Sequence, residues 1–464
     1  MGESQLEQVE SDELFYVPRE AFLALLEGEL SAEPRAMVFA AYARINILYM
    51  IARAWSGHPG TCFSSVDIMT WLFLQKMRGL GEGQDQCDLF FSSKGHDAPA
   101  LYAVLSGLGL LDFELIHRLR RVDGLAGHPH VETPFVQANT GSLGMGISKA
   151  KGMAMANRLR GQRRRVFVLT GDGELQEGQI WESLGSAVQL ELDEITVIVD
   201  HNKIQSDTWV DDVGPLGDLS SKFASFGWRV ARCDGHDFGA LEAALEQLDA
   251  VSGVPKVLIA DTVKGKGVSF MEGPAALSAD ALYLFHSGAP NEDAYARGSA
   301  ELNAAARARM KEAGLGELTL EQGRRPPRKP ALAVERLVNA YSTALVEQAT
   351  RNPEIVVLDA DLVKDCGLLA FRDKFPERFI ECGIAEQDMV SQAGAMAQQG
   401  LVPIAHSFAC FLSARPNEQI YNNATEGTKI VYVGTLAGLV PGGPGHSHQS
   451  VRDISGLAAM PGLV

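Results

Sequence analysis

Val166-Phe167-Val168-Leu169-Thr170-Gly171-Asp172-Gly173 and, thirty residues after Asp172, Asp200-His201-Asn202-Lys203-Ile204 are the two segments that decide the fold. In each, a β-branched, apolar run ends in a polar loop. The helical spacing of Gln179–Leu190 lies between them. Strand, helix and strand at this rhythm predict a parallel sheet with helices on both faces, and the loops that follow the strands then open at one common edge.

Outward from this centre, Lys256–Asp261 reads as a further strand and Gly239–Asp249 as a helix. Pro34–Leu80 is helical, interrupted by the loop Ser56-Gly57-His58-Pro59-Gly60. Residues 1–33 read as an acidic lead-in. Residues 322–331 are polar and proline-rich, which predicts an extended interdomain linker poor at joining a core. After it the α/β pattern restarts, with helix Val334–Thr350, strand Ile355–Asp359, helix Glu386–Gln399 and strand Lys429–Tyr432. The expected fold class is α/β: two tandem domains with parallel sheets flanked by helices, over residues 34–321 and 332–464.

The chain has 464 residues and a formal net charge of −17, with 46% hydrophobic and 21% charged residues. A strongly acidic balance argues against a nucleic-acid or anionic-membrane partner, because both need a basic face. The basic stretches Arg158–Arg165 and Arg324–Lys329 read as a solvated face and part of the linker. The six cysteines (Cys62, Cys87, Cys233, Cys366, Cys382, Cys410) form no CxxC pair, as expected of reduced thiols, and a cytoplasmic location follows as the expectation.

Glycines in Gly171-Asp172-Gly173 let the backbone approach a diphosphate, and a helix N-terminus just beyond favours the anion. Asp172, the Asn202 amide oxygen and the backbone carbonyl of Ile204 are hard oxygen donors suited to Mg²⁺ or Ca²⁺. A Gly-Asp-Gly with a downstream Asn is the signature of thiamine-diphosphate enzymes. Its neighbours resemble transketolase: Ser56-Gly57-His58-Pro59-Gly60, Ser93-Lys94-Gly95-His96, Gly127-His128-Pro129, Thr140-Gly141-Ser142-Leu143-Gly144, Gly173-Glu174-Leu175-Gln176-Glu177-Gly178, Thr262-Val263-Lys264-Gly265-Lys266-Gly267, Ala360-Asp361-Leu362 and Gly383-Ile384-Ala385-Glu386-Gln387.

The resemblance implies a diphosphate-binding first domain and a pyrimidine-binding second domain, with the chain ending inside the latter and a third domain absent. It implies thiamine diphosphate with a divalent metal held by Asp172, Asn202 and Ile204. It also implies transfer of a two-carbon ketol unit, through a carbanion on the cofactor, from a small ketose donor to an aldehyde acceptor. Glu386 would meet the aminopyrimidine ring from a neighbouring protomer, its carboxyl kept protonated by burial, and Phe408 and Phe411 would hold that ring. Gly141, Leu143, Gly171, Gly173 and Asp361 would lie against the cofactor. Glu177 would belong to a carboxylate network linking paired sites. His58, His96, His128, His286 and His448 would line the approach as bases and donors, imidazole having the required pKa range, whereas His117, His201 and His236 read as structural. A homodimer, or a hetero-oligomer with a chain supplying the missing part, is the implied assembly.

Six positions depart from the family pattern. The Arg, Ser and His that grip a substrate phosphate align with Asn339, Asp365 and Leu436, and an aspartate that contacts the donor aligns with Pro444; the usual Pro-Thr appears as His446-Ser447. Losing two or three charge-assisted hydrogen bonds, each about 1.5–3 kcal/mol, weakens phosphate binding by roughly a thousandfold or more. The expected substrate therefore lacks the terminal phosphate. A dehydrogenase E1-like enzyme, a deoxyxylulose-phosphate-synthase-like enzyme and a catalytically silent chain that binds cofactor or partner are the alternatives.

Overall fold

The computed structural model describes residues 13–83, 86–327, 337–439 and 442–464. The strands, in chain order, are β1 (Glu13–Tyr16), β2 (Leu89–Ser92), β3 (Val166–Gly171), β4 (Ile195–His201), β5 (Arg229–Asp234), β6 (Lys256–Asp261), β7 (Glu321–Arg324), β8 (Ile355–Asp359), β9 (Phe379–Glu381), β10 (Val402–Phe408) and β11 (Val431–Thr435).

The first domain holds a five-stranded sheet in the order β2-β3-β4-β6-β5, with every pairing parallel. β3 and β4 are buried along almost their whole length, which explains their continuous β-branched character: a strand covered on both faces has no solvent side to make polar. One face packs on Ala32–Ala54, Pro59–Trp71, Ala98–Gly107 and Phe238–Asp249, the other on Gly146–Leu159 and Gly178–Gln189. The second domain has a four-stranded parallel sheet, β11-β10-β8-β9, between the helices Leu337–Arg351 and Glu386–Gln398. The predicted strand at Lys429–Tyr432 forms two residues later, at Val431–Thr435.

Ala32–Ala54 is long and apolar enough, with a mean hydropathy of 1.2, to cross a membrane by composition alone. Packing uses that surface instead. Its most apolar window is 83% buried, and Arg44 in its middle makes a two-pronged ion pair with Asp67 at 2.6 and 2.7 Å. His236 Nδ1 joins the same carboxylate at 2.7 Å, and His236 Nε2 accepts from Val263 N, so this histidine is structural.

Two boundary expectations need correction. Residues 1–12 lie outside the described residues, but 13–33 are part of the core. Leu14, Val17 and Phe22 are fully buried, and the helix Arg19–Glu27 packs on Ala32–Ala54. The first part of the linker is also ordered: β7 pairs antiparallel with β1. Arg325, expected on a solvated stretch, is buried with its guanidinium 4.5 Å over the Trp55 ring. Charge composition misleads here because a few apolar residues among acidic ones anchor the segment. Residues 328–331 of the linker, and 334–336 of the helix expected from Val334, lie outside the described residues.

The ring of Phe22 stands 5.1 Å from that of Phe39 and 5.4 Å from that of Tyr42. Phe22→Ala should therefore cost about 3–5 kcal/mol, measured as a lower urea midpoint. A cost within about 0.5 kcal/mol, as expected of a surface site, would restore the lead-in reading.

Candidate functional site

Gly171 at the end of β3 is in register with Asp200 near the end of β4. The loop bearing Asp172 therefore abuts the loop bearing Asn202, and Lys203 N donates to Asp172 Oδ2 at 2.5 Å. Asp200 organises the floor. It is fully buried and accepts from Lys94 Nζ at 2.5 Å, Ser64 Oγ at 2.6 Å and the Thr262 hydroxyl. Burial pushes the Asp200 carboxyl up, but the adjacent Lys94 ammonium and these hydrogen bonds outweigh it and hold the pKa down.

Beside this floor a small cavity of about 50 Å³ is lined by Gly171, Asp172, Gly173, Asn202, Ile204 and Lys264, among others. It shares Lys94, His96, Leu143, Ser206, His286 and Asp361 with a larger cavity of about 330 Å³, so the two are continuous. The larger one carries His58, His128, Gly141, Glu386, Phe408, Phe411 and His448 on its walls. Every residue singled out in the sequence for catalysis, cofactor or metal thus faces one connected space, except Glu177, which stands behind Glu386. His117, His201 and His236 do not line either cavity.

The inner end suits a diphosphate and a hard cation. One carboxylate, one amide oxygen and one carbonyl are available, a set with few anionic ligands that leaves coordination positions for phosphate oxygens. Lys264 Nζ lies 3.1 Å from the Ile204 carbonyl oxygen. Burial pulls the Lys264 pKa down to about 8, partly offset by Asp172 and Asp361. An arriving polyanion would raise it again. Burial and the neighbouring Asp200 raise the Asp172 carboxyl; a divalent cation would reverse that.

The outer end is built by the second domain folded onto the first. Arg415 joins them, with Nη1 2.5 Å from Glu177 and 2.7 Å from Glu386, and Nη2 donating to the Leu143 carbonyl at 3.2 Å. Ile384 N donates to Gln176 Oε1 at 2.9 Å, and His128 Nδ1 pairs with the Pro444 carbonyl at 2.8 Å. Gly383, with φ of 72°, permits the first of these approaches: a Cβ there would stand 2.7 Å from Gln176 Oε1.

Residues 337–464 fold over the same sheet edge, so that within this one chain Glu386 meets the first domain through Arg415. Burial, opposed by Arg415 and reinforced by Glu386, pushes Glu177 up to about 8, and Glu386 shares the same guanidinium. Glu386 Oε2 is buried without a hydrogen-bond partner. An orphaned carboxyl oxygen on the wall of an apolar, Phe-lined slot is what a ring-nitrogen partner would satisfy. The Phe408 and Phe411 rings lie 6.0 Å apart at 28°.

The histidines form a chain of imidazoles. Ring centroids are 5.3 Å apart for His58 and His96, 5.4 Å for His58 and His286, 5.9 Å for His58 and His128, and 4.9 Å for His128 and His448. Burial and the neighbouring cationic groups keep all five neutral. The pKa falls to about 3 for His96 and about 4 for His448, and well below the ordinary value for His58, His128 and His286. Their partners fix the tautomers. His96 and His128 each donate from Nδ1 to a carbonyl, of Lys94 and Pro444, leaving Nε2 as a base. His58 Nδ1 faces Arg120 and His286 Nδ1 faces Lys264, both obligate donors, which leaves Nε2–H on these two rings.

Several lining groups were not assigned from sequence: Lys94, Arg120, Lys264, Gln205 and Arg415. Lys94 and Lys264 sit inside motifs already recognised, so a buried lysine in each could have been suspected. Nothing local marks Arg120 or Arg415. Asp361 lies between the two cavities with φ of 60°, and burial together with Glu381 and Asp207 raises its carboxyl to about 8. Of the departures from the family pattern, Asp365, Leu436 and Pro444 line the larger cavity, while Asn339 is exposed and does not.

These features define a protein of two α/β domains with a continuous cavity between them that suits a diphosphate, a hard cation and a ring. Residues 36–283 match the family model described as transketolase, thiamine diphosphate binding domain, and residues 336–464 match transketolase, pyrimidine binding domain. The chain belongs to the transketolase family. It is 33% identical over 450 residues to transketolase-like protein 2 of Mus musculus, covering 90% of this chain and 67% of that one. It is 33% identical over 255 residues to one subunit of the apulose-4-phosphate transketolase of Phocaeicola vulgatus, covering 54% of this chain and 88% of that protein. The structure of transketolase from Leishmania mexicana shares the fold, with a TM-score of 0.51 at 23% identity over 93% of this chain and 72% of that one.

A base whose folded pKa is depressed stays neutral as pH falls through 6.5 and charges only near the depressed value. At pH 6, ¹⁵N imidazole shifts should therefore report neutral rings for His96 and His448, with the proton on Nδ1 in His96. An imidazolium signal for either at pH 6 would contradict the burial of this site.

Proposed function

We propose that this protein uses thiamine diphosphate and a divalent metal to move a two-carbon ketol unit from a ketose to an aldehyde. One observation carries the reading: a single cavity joins the oxygen donors of the Gly-Asp-Gly loop to the orphaned Glu386 carboxyl, with neutral histidines of both tautomers on its walls. Bound thiamine diphosphate supplies a nucleophilic carbon that also serves as an electron sink.

The protein's own groups do the rest. Asp172, Asn202 and the Ile204 carbonyl would hold Mg²⁺, and Lys264 would balance diphosphate charge. Phe408 and Phe411 would bracket the aminopyrimidine ring while Glu386 Oε2 hydrogen-bonds it. Nε2 of His96 and of His128 can take protons from substrate hydroxyls, and Nε2–H of His58 and of His286 can donate to a carbonyl or alkoxide oxygen. Neutral rings fit both tasks, since an imidazolium cannot accept.

The larger cavity also bears on the substrate. Asp365 and Leu436 stand where the family resemblance expects phosphate-gripping side chains, and Asp365 would repel a phosphate. This supports a substrate without a terminal phosphate. The Phocaeicola relative is named as one subunit of an enzyme, which supports assembly with another chain. Leu439, Val451 and Ile454 are exposed apolar residues near β11, an edge strand, which such a partner could cover. The sequence's six unpaired thiols support a reducing, cytoplasmic setting.

Glu386→Gln should lower cofactor-dependent ketol transfer by at least a hundredfold while the variant keeps its thermal midpoint, since only one oxygen is exchanged for nitrogen. Turnover is to be followed with paired phosphorylated and unphosphorylated ketoses. Unchanged turnover would overturn the role of Glu386. Cofactor binding without turnover in the wild type would identify a silent chain. A strong preference for the phosphorylated ketose would overturn the substrate assignment.

A further inference from the structure

Among the described residues, four cations line the joined cavities deeply, and three of them are compensated. Lys94 pairs with Asp200, Arg415 with Glu177 and Glu386, and Lys264, held by two backbone carbonyls, feels the Asp172 and Asp361 carboxyls. Arg120 is the exception. Its Nη1 donates to Ser56 Oγ at 2.6 Å and its Nη2 faces His58 Nδ1 at 3.4 Å, both neutral acceptors. Its Nε is buried without a hydrogen-bond partner. Burial drags the Arg120 pKa down to about 10, and the groups that push it back are the Cys62 thiol and the Tyr102 phenol; no carboxylate is among them.

The backbone is committed to this placement. Arg120 has a φ of 57°, a left-handed conformation that a long side chain rarely adopts, held by its N–H to the Leu125 carbonyl at 2.7 Å. Glycines flank the guanidinium on two sides. A Cβ on Gly127 would stand 2.9 Å from Nε, and one on Gly443 would stand 3.2 Å from Nη1. A buried, uncompensated guanidinium is costly for the free protein. A strained backbone and a buried, unpartnered Nε, on a guanidinium that lines the larger cavity, are features of a site awaiting an anion.

We infer that Arg120, with Ser56, forms a carboxylate subsite beside the histidine cluster, so that the protein accepts a short carbonyl substrate carrying an acid group a few bonds from the reacting carbon. This rests on the ketol-transfer reading above and specifies its substrate class. A monoanion fits better than a phosphate monoester. Only one unpaired positive charge is available, the adjacent imidazoles are held neutral, and a planar carboxylate matches the forked N–H groups of a guanidinium. The position is also distinct from Asp365, whose charged neighbours are Lys364 and Asp207.

The test is a calorimetric titration of the full chain, with and without thiamine diphosphate and Mg²⁺, using glyoxylate, glycolaldehyde and glycolaldehyde phosphate as probes. Glyoxylate should bind the wild type about tenfold to a hundredfold more tightly than uncharged glycolaldehyde. That preference should vanish in Arg120→Leu and largely survive in Arg120→Lys. A role confined to folding would weaken all three probes alike and leave the ratio unchanged. No discrimination in the wild type, discrimination that survives Arg120→Leu, or tighter binding of glycolaldehyde phosphate than of glyoxylate would each overturn the inference. Cofactor uptake is read separately in the same cell, so a failure of this subsite is distinguishable from a failure of the underlying function.

Discussion

The meeting of two sheet edges is the constraint on which the rest of the structure depends. β3 and β4 deliver the Asp172 and Asn202 loops to one edge, and β8 and β10 deliver Asp361 and Phe408 to the edge opposite. Arg415 fastens the two, sharing one guanidinium between Glu177 of the first domain and Glu386 of the second. Such a pair of carboxylates around one buried cation is costly unless the charges balance. Burial and the neighbouring Glu386 raise the Glu177 carboxyl to about 8, and Glu386 Oε2 is buried without a hydrogen-bond partner.

The same logic extends outward. Low polarity in the cavity is what suppresses the imidazolium form of five clustered histidines, and the cations around them reinforce it. Neutral rings then take tautomers dictated by fixed partners, carbonyls on one side and ammonium or guanidinium groups on the other. Proton acceptors and donors alternate along the wall without any charge being moved. The ketol transfer proposed above, with proton transfer to and from substrate hydroxyls, needs that arrangement.

Much of this was legible in the sequence, for reasons that differ by element. Strands β3, β4, β6 and β8 were visible because burial on both faces forces uninterrupted apolar runs. β2, with only four residues, and β5, whose exposed edge alternates polar and apolar residues, gave no such run. The residues that line the joined cavities are legible because glycine, histidine and acidic positions recur in fixed short motifs. What escaped was everything decided by long-range contact. Leu14 and Phe22 look like an acidic tail until packed against Phe39. Arg325 looks like linker until it lies over Trp55. Arg120 and Arg415 come from stretches without a motif, and the bridge from Glu386 through Arg415 to Glu177 depends on how one domain folds over the other.

Calorimetry of thiamine diphosphate binding in the presence of Mg²⁺ tests the central claim most directly, comparing the wild-type chain with Asp172→Ala. Saturable, metal-dependent uptake by the wild type, weakened by at least a hundredfold in the variant, is the predicted result. Equal uptake by both proteins, or none by either, would contradict the placement of the cofactor on these two loops.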